Sequence, residues 1–260
     1  MRTWIKYLLP VLFGALALAG WQLAVTHFDV STFVLPAPGA IWPAFTENFP
    51  SLMGSLWVTL KITWTAYAAA LMGGLLLAIL FSQSRAFEMA LYPYAVILQV
   101  TPVLAIAPLI VIWTGFDHVE RAAVIIALIV AFFPILSNAT LGLRSVDPGL
   151  LDLFRLYGAS RWQILWRLQL PGALPYILAG MKVSGGLALI GAVVAEFVSG
   201  SGTATGLGWR ITESANRLEI AKMFAALGLL SAAGIVNFYL LAGVEWLVLH
   251  RWHDSAVKRN

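Results

Sequence analysis

The chain has 260 residues, 60% of them hydrophobic and 11% charged, with a formal net charge of +4. Soluble domains carry about 25% charged residues, so this chain lacks the polar surface to enclose a core in water, and lipid must be its solvent. It has no cysteine, which excludes disulfides, thiolate metal sites and cysteine nucleophiles, and its basic residues form no single patch of the kind nucleic acid would need.

A helix that crosses a bilayer needs about 20 mostly apolar residues. Six stretches meet this in chain order: Tyr7 to Thr26, Trp57 to Phe81, Leu91 to Phe116, Arg121 to Leu141, Ala173 to Phe197 and Met223 to His250. The first follows Met1 to Lys6 and contains Ala15-Leu16-Ala17, a signal-peptide-like grammar, but its apolar run exceeds the usual length of about 7–15. A retained helix is therefore expected. Pro93, Pro102, Pro108 and Pro134 fall within spans, where neighbouring helices can satisfy freed carbonyls. The third and sixth stretches are long enough to be tilted or broken.

The basic residues orient these spans. With the N-terminus cytoplasmic, the inner segments hold Arg2, Lys6, Arg85, Arg144, Arg155, Arg161, Arg167, Arg251, Lys258 and Arg259. The outer segments hold only Arg121, Arg210, Arg217 and Lys222. That bias is the positive-inside pattern. The expectation is an all-α, multi-pass membrane protein of about six transmembrane helices with both termini cytoplasmic.

Gly142 to Gly172 is the least membrane-like inner segment. Asp147-Pro148 reads as a helix start, with the carboxylate capping free backbone N–H groups and proline at the first helical position. Leu150, Leu151, Phe154 and Tyr157 follow at helical spacing, and Gly158 supplies a left-handed stop. Ser160-Arg161-Trp162-Gln163 then opens a second short helix with a capping box, and Leu170-Pro171 and Leu174-Pro175 punctuate the entry to the fifth span. An exposed apolar stripe of this kind rests either on headgroups and the protein's own surface or in a groove on a partner.

The run from Asp152 to Ile164, closing on Leu170-Pro171, resembles the EAA loop of bacterial ABC importer permeases. That signature is a Glu-Ala-Ala-like triplet, a glycine four residues later and an Ile-x-Leu-Pro-like end. Asp152 keeps the acid and Gly158 the elbow, while Leu153 and Phe154 replace two small residues. Further likeness lies in Leu35-Pro36-Ala37-Pro38, Leu91-Tyr92-Pro93-Tyr94, Phe132-Phe133-Pro134-Ile135 and Gly142 to Pro148. These are similar to the branch that imports nitrate, taurine, alkanesulfonates, bicarbonate and vitamin precursors. The tail Arg251 to Ala256 is similar to members linked with pyrimidine precursors of thiamine or with riboflavin.

The resemblance implies a type I importer-like permease, residues 1–260 forming one transmembrane domain of the bacterial inner membrane. It implies that Asp152, Leu153, Phe154, Gly158, Ala159, Ser160 and Pro171 couple the domain to an ATPase. It also implies a pair of these chains, a homodimer, served by two ATPase subunits and one extracytoplasmic solute-binding protein. The chain has no G-x-x-x-x-G-K-[ST] loop, and none of its five lysines follows a glycine. ATP and magnesium would thus belong to the partner, with no cofactor in this chain.

Ionisable and polar groups in the spans are functional candidates. Lys182 and Glu196 share a face of the fifth span about 21 Å apart; Lys182 reads as snorkelling, and Glu196 as either interfacial or lining an outer gate. Gln99 and Thr101 beside Pro102 are candidates for lining the pathway. Ala69-xxx-Gly73, Ala70-xxx-Gly74, Gly180, Gly185, Gly186 and Gly191 offer close-packing faces, one of which would form a dimer seam. Ser199 to Lys222, with Gly200, Gly202, Gly206 and Gly208, reads as a linker or as a docking or gate element. His27, His118, His250 and His253 do not converge into a catalytic or metal site, which argues against an enzyme. A secondary transporter or channel not coupled to ATP remains the alternative, although no inverted repeat or midplane coupling carboxylate is evident.

Overall fold

The computed structural model describes residues 5–199 and 205–250, and within them every regular element is helical. Five of the described helices are long and apolar enough to cross a membrane, and there are six such spans if one bent pair counts as one. The first is α1 (Ile5–His27), joined to a short α2 (Pro38–Glu47) that starts on Pro38. The second span is α3 (Phe49–Gln83), which begins eight residues before the expected Trp57 because Asn48-Phe49-Pro50 already opens the helix.

The expected break falls in the third span. Helices α4 (Arg85–Val100) and α5 (Val103–Thr114) meet at 102° across Thr101-Pro102. Proline removes a backbone donor and forces the preceding residue out of the helical region, and Thr101 is extended at φ −68°, ψ 126°. The sixth span, α11 (Ile220–Leu249), is continuous. Between them run α6 (Val119–Arg144) and α9 (Leu170–Ser199).

The second short helix of the loop is not separate. After α7 (Pro148–Leu156), α8 (Arg161–Ile164) runs through a π-helical turn at Leu165–Gln169 directly into α9. A π turn widens the backbone spacing, and here it lets Pro171, which has no N–H, sit near the start of a continuous helix instead of ending one. One more helix, α10 (Leu207–Asn216), precedes α11.

Helices α6 and α9 form the centre, with α3 packed beside them. Lipid is as apolar as leucine, so hydrophobic burial gives helices little reason to associate, and close approach must come from small residues. At Gly180 a Cβ would meet Asn138 and the Pro134 carbonyl, and at Gly191 it would meet the Ala127 backbone. Gly74 lies equally tight against Ile135, and Gly185 lies against Leu241 of α11. These glycines seal the helices within one chain. Gly186 is exposed, with open space where its Cβ would be. Ser184 donates to the Ala131 carbonyl, and Asn237 Nδ2 donates to the Gly185 carbonyl at 3.0 Å.

Helix α1 differs from the rest. It touches the bundle through Gln22 Oε1, which accepts from Gly39 N–H at 3.0 Å, and through Trp21 against Phe224. Most of its apolar surface is exposed.

Candidate functional site

Two short-helix segments lie at opposite ends of α9. The first is the elbow preceding it. Asp147 Oδ1 accepts from Gly149 and Leu150 N–H at 2.7 and 3.3 Å, capping α7. Gly158 has φ +70°, and the carbonyls of Phe154 and Arg155 accept from Ala159 and Gly158 respectively. Ser160 and Gln163 form both halves of a capping box: Gln163 N–H donates to Ser160 Oγ at 3.3 Å, and Ser160 N–H donates to Gln163 Oε1 at 2.7 Å.

Leu153, Phe154, Gly158 and Ala159 line one hollow of about 370 Å³ together with Tyr157 and Gln163. Asp152 is exposed and pairs with Arg155 at 3.3 Å. Ser160 is occupied by its cap, and Pro171 is exposed in the first turn of α9, outside that hollow. The expected stripe is divided: Leu151 and Phe154 are half-buried, while Leu150 and Tyr157 are exposed. Leu156 and Tyr157 are 85% and 84% exposed, so the described residues leave the tip of the elbow uncovered.

The second segment follows α9 and is built around Glu196, only 3% exposed. Glu196 Oε1 accepts from Thr59 Oγ1 at 2.8 Å, and Thr59 Oγ1 in turn accepts from Leu207 N–H at 2.8 Å. Glu196 Oε2 accepts from Gly208 N–H at 2.6 Å. Thus the first two N–H groups of α10 end on a hydroxyl from α3 and a carboxylate from α9. Helix N-termini carry unsatisfied donors and partial positive charge, so a carboxylate is the favoured partner.

Glycine is required at two positions here. A Cβ on Gly206 would overlap the Glu196 carboxylate, and one on Gly208 would meet Glu196 Oε2 at 2.8 Å and the Val193 carbonyl at 2.9 Å. Leu207 between them is fully buried with Leu52, Ala225 and Ala226. Arg210 Nε donates to Ser55 Oγ at 3.0 Å, and its guanidinium pairs with Glu213 at 2.8 Å. The Arg210 hydrogen bond holds the Glu213 carboxyl below the usual carboxylate range.

Gln99 is exposed and Thr101 half-buried at the α4–α5 break, where Thr101 Oγ1 donates to the Ile97 carbonyl at 2.7 Å. None of the hydrogen-bond partners of Glu196 lies on α4 or α5, so these pathway candidates do not form one cluster with it. Lys182 has a partner that its own helix does not show: Glu245 of α11, at 2.5 Å. Glu245 was missed as a candidate, although a carboxylate in an apolar stretch carries the same signal as Lys182. Of the Ser199 to Lys222 glycines, Gly200 and Gly202 lie outside the described residues, as does the tail from Arg251.

A family model described as the binding-protein-dependent transport system inner membrane component matches residues 70–259. The chain belongs to this family. It is 34% identical over 244 residues to the riboflavin transport system permease protein of Chloroflexus aurantiacus, covering 92% of this chain and 88% of that one. It is 31% identical over 250 residues to the formylaminopyrimidine transport permease protein of Halalkalibacterium halodurans, covering 96% and 98%. In fold it is similar to the crystal structure of an amino acid ABC transporter with histidines, with a TM-score of 0.62 at 18% identity, covering 78% of this chain and 95% of that one. This permease is a multi-pass inner-membrane subunit of an ATP-driven ABC importer for a small solute, and its role is transport.

Proposed function

We propose that the elbow at residues 147–169 is the handle by which a separate ATPase, holding ATP and magnesium, drives this permease. Asp152, Leu153, Phe154, Gly158, Ala159 and Ser160 make the contact surface, and Pro171 sets the entry to α9. The observation that carries this reading is the tip: two capped short helices, a left-handed glycine between them, and Leu156 and Tyr157 exposed with none of the described residues over them. An apolar helix end presented in this way suits a groove on a protein partner.

The whole chain acts as one permease domain with both termini cytoplasmic, paired with a second copy and served by an extracytoplasmic solute-binding protein. Glu196 fixes α10 to α3 and α9, so that α10 moves with the outer ends of those helices when the pathway opens. The exposed break at Gln99 and Thr101 faces the pathway. The solute is of the nitrate, taurine or alkanesulfonate type, or a vitamin precursor of the pyrimidine or riboflavin type. Likeness to the riboflavin and formylaminopyrimidine permeases supports the second class, as likeness to an aliphatic sulfonates permease, at 33% identity, supports the first.

The absence of cysteine makes a single-thiol test clean. In Leu156→Cys, a membrane-impermeant maleimide should label inside-out vesicles and spare right-side-out ones, and bound ATPase should protect the thiol. Labelling from the outer face would overturn the assignment.

A further inference from the structure

Between the two short helices of the elbow and the α3–α4 turn lies a cavity of about 670 Å³. Three arginines from three separate elements line it: Arg85 at the start of α4, Arg155 on α7 and Arg161 at the start of α8. Ser82, Gln83 and Ser84, where α3 turns into α4, complete its polar wall, and among the described residues no acidic side chain lines it.

The arginines are weakly engaged. Arg161 Nη1 donates to the Gln83 carbonyl at 3.4 Å, and Arg155 holds the exposed Asp152 at 3.3 Å. Arg85 has no ion-pair partner among the described residues. Three guanidinium groups that share one exposed carboxylate, around a concave space, select an anion, and their planar forks suit phosphate oxygens.

The position of the site points to the source. It opens where two candidate membrane spans end, at Gln83 and at Arg161. Trp162 and Trp166, next to Arg161, are both exposed, and exposed tryptophans mark the headgroup level of a bilayer. Basic pockets between transmembrane helices at this level bind anionic lipid headgroups.

We propose that the Arg85–Arg155–Arg161 cavity holds the phosphate-bearing headgroup of an anionic phospholipid, which ties the root of the elbow to the α3–α4 turn. The side of the membrane rests on the coupling reading above, but binding itself does not require an ATPase. A failure of one is therefore distinguishable from a failure of the other.

The test is native mass spectrometry of the full-length chain in detergent, titrated separately with phosphatidylglycerol, phosphatidylcholine and inorganic phosphate, with and without its ATPase. Phosphatidylglycerol should be retained in preference to phosphatidylcholine. At about 1 kcal/mol of attraction per arginine, Arg85→Gln should weaken retention about fivefold and Arg85→Gln with Arg161→Gln about thirtyfold. Arg217→Gln, on α10 at the far end, should leave retention unchanged. Because Arg85 is exposed and has no ion pair among the described residues, its single variant keeps the test readable if the double variant fails to fold. Equal retention by wild type and Arg85→Gln overturns the proposal. So does saturable phosphate binding without lipid, which would make the ligand free phosphate. Loss of lipid on adding the ATPase also overturns it, since the arginines would then belong to an acidic protein surface.

Discussion

The elbow before α9 and the latch after it are both short helices at the ends of one long span, yet they are held in opposite ways. Helix α7 is capped by Asp147 immediately before it, and the next helix is closed by Ser160 and Gln163 within a single turn. Helix α10 has no cap of its own: Gly206 offers no side chain, and its first donors go to Glu196 and to Thr59, which is 148 residues away from Leu207. The elbow folds from its own sequence and leaves its apolar tip exposed. The latch takes its start from two other helices and buries Leu207 completely. A part that must meet a partner is made locally rigid and left uncovered, whereas a part that must stay with the bundle is tied to it by buried polar groups.

Removing the latch carboxylate should break this contrast most sharply. Glu196→Ala leaves the Gly208 N–H buried without its partner, at a cost on the order of 1–3 kcal/mol, while the Thr59 hydroxyl falls back on the Ser55 carbonyl at 3.2 Å. The melting midpoint of the purified chain should fall clearly, with faster proteolysis within 205–216, and Glu196→Gln should lie between that variant and wild type. An unchanged midpoint in Glu196→Ala would mean that α10 does not depend on Glu196.

Gly158→Pro should have a smaller effect on stability and a larger one on transport. Proline cannot adopt φ +70°, and it removes the N–H that donates to the Arg155 carbonyl at 2.9 Å. The exposed elbow is expected to be re-aimed without unfolding the bundle, so uptake is lost while the midpoint moves by only a few degrees. Normal uptake in this variant would remove the elbow from the coupling path.

The smallest effect sharpens the same contrast. Asp147→Ala removes a helix cap worth about 1 kcal/mol, all of it confined to α7. Hydrogen exchange should rise at Gly149 and Leu150 and leave Leu207 and Gly208 unaltered. Faster exchange at α10 as well would show that the two ends of α9 are coupled.

Much of this was legible in the residues. The spans, Asp147-Pro148, Gly158 and the Ser160–Gln163 box are local patterns, with each donor and acceptor only a few positions apart, and the structure has each of them. The sequence also marks the third span as long enough to be tilted or broken, but only the structure singles out Pro102, among the prolines at 93, 102 and 108, as the place where it breaks. The sequence did not reveal the continuation of α8 through a π turn into α9, because that depends on how the start of α9 packs against α6. Nor did it reveal that Lys182 has Glu245 as its partner.

Glu196 shows the boundary between the two kinds of information. Its identity, and the glycines at 206 and 208, are fixed by the chain, and its charge alone marks it as unusual in an apolar helix. That these belong to one device follows only once α3, α9 and α10 are packed together. Sequence determines what each segment can do with its own backbone, because capping, turning and spanning are settled within a few residues. Tertiary structure decides which distant polar groups share a buried site, because that depends on where small residues allow whole helices to approach.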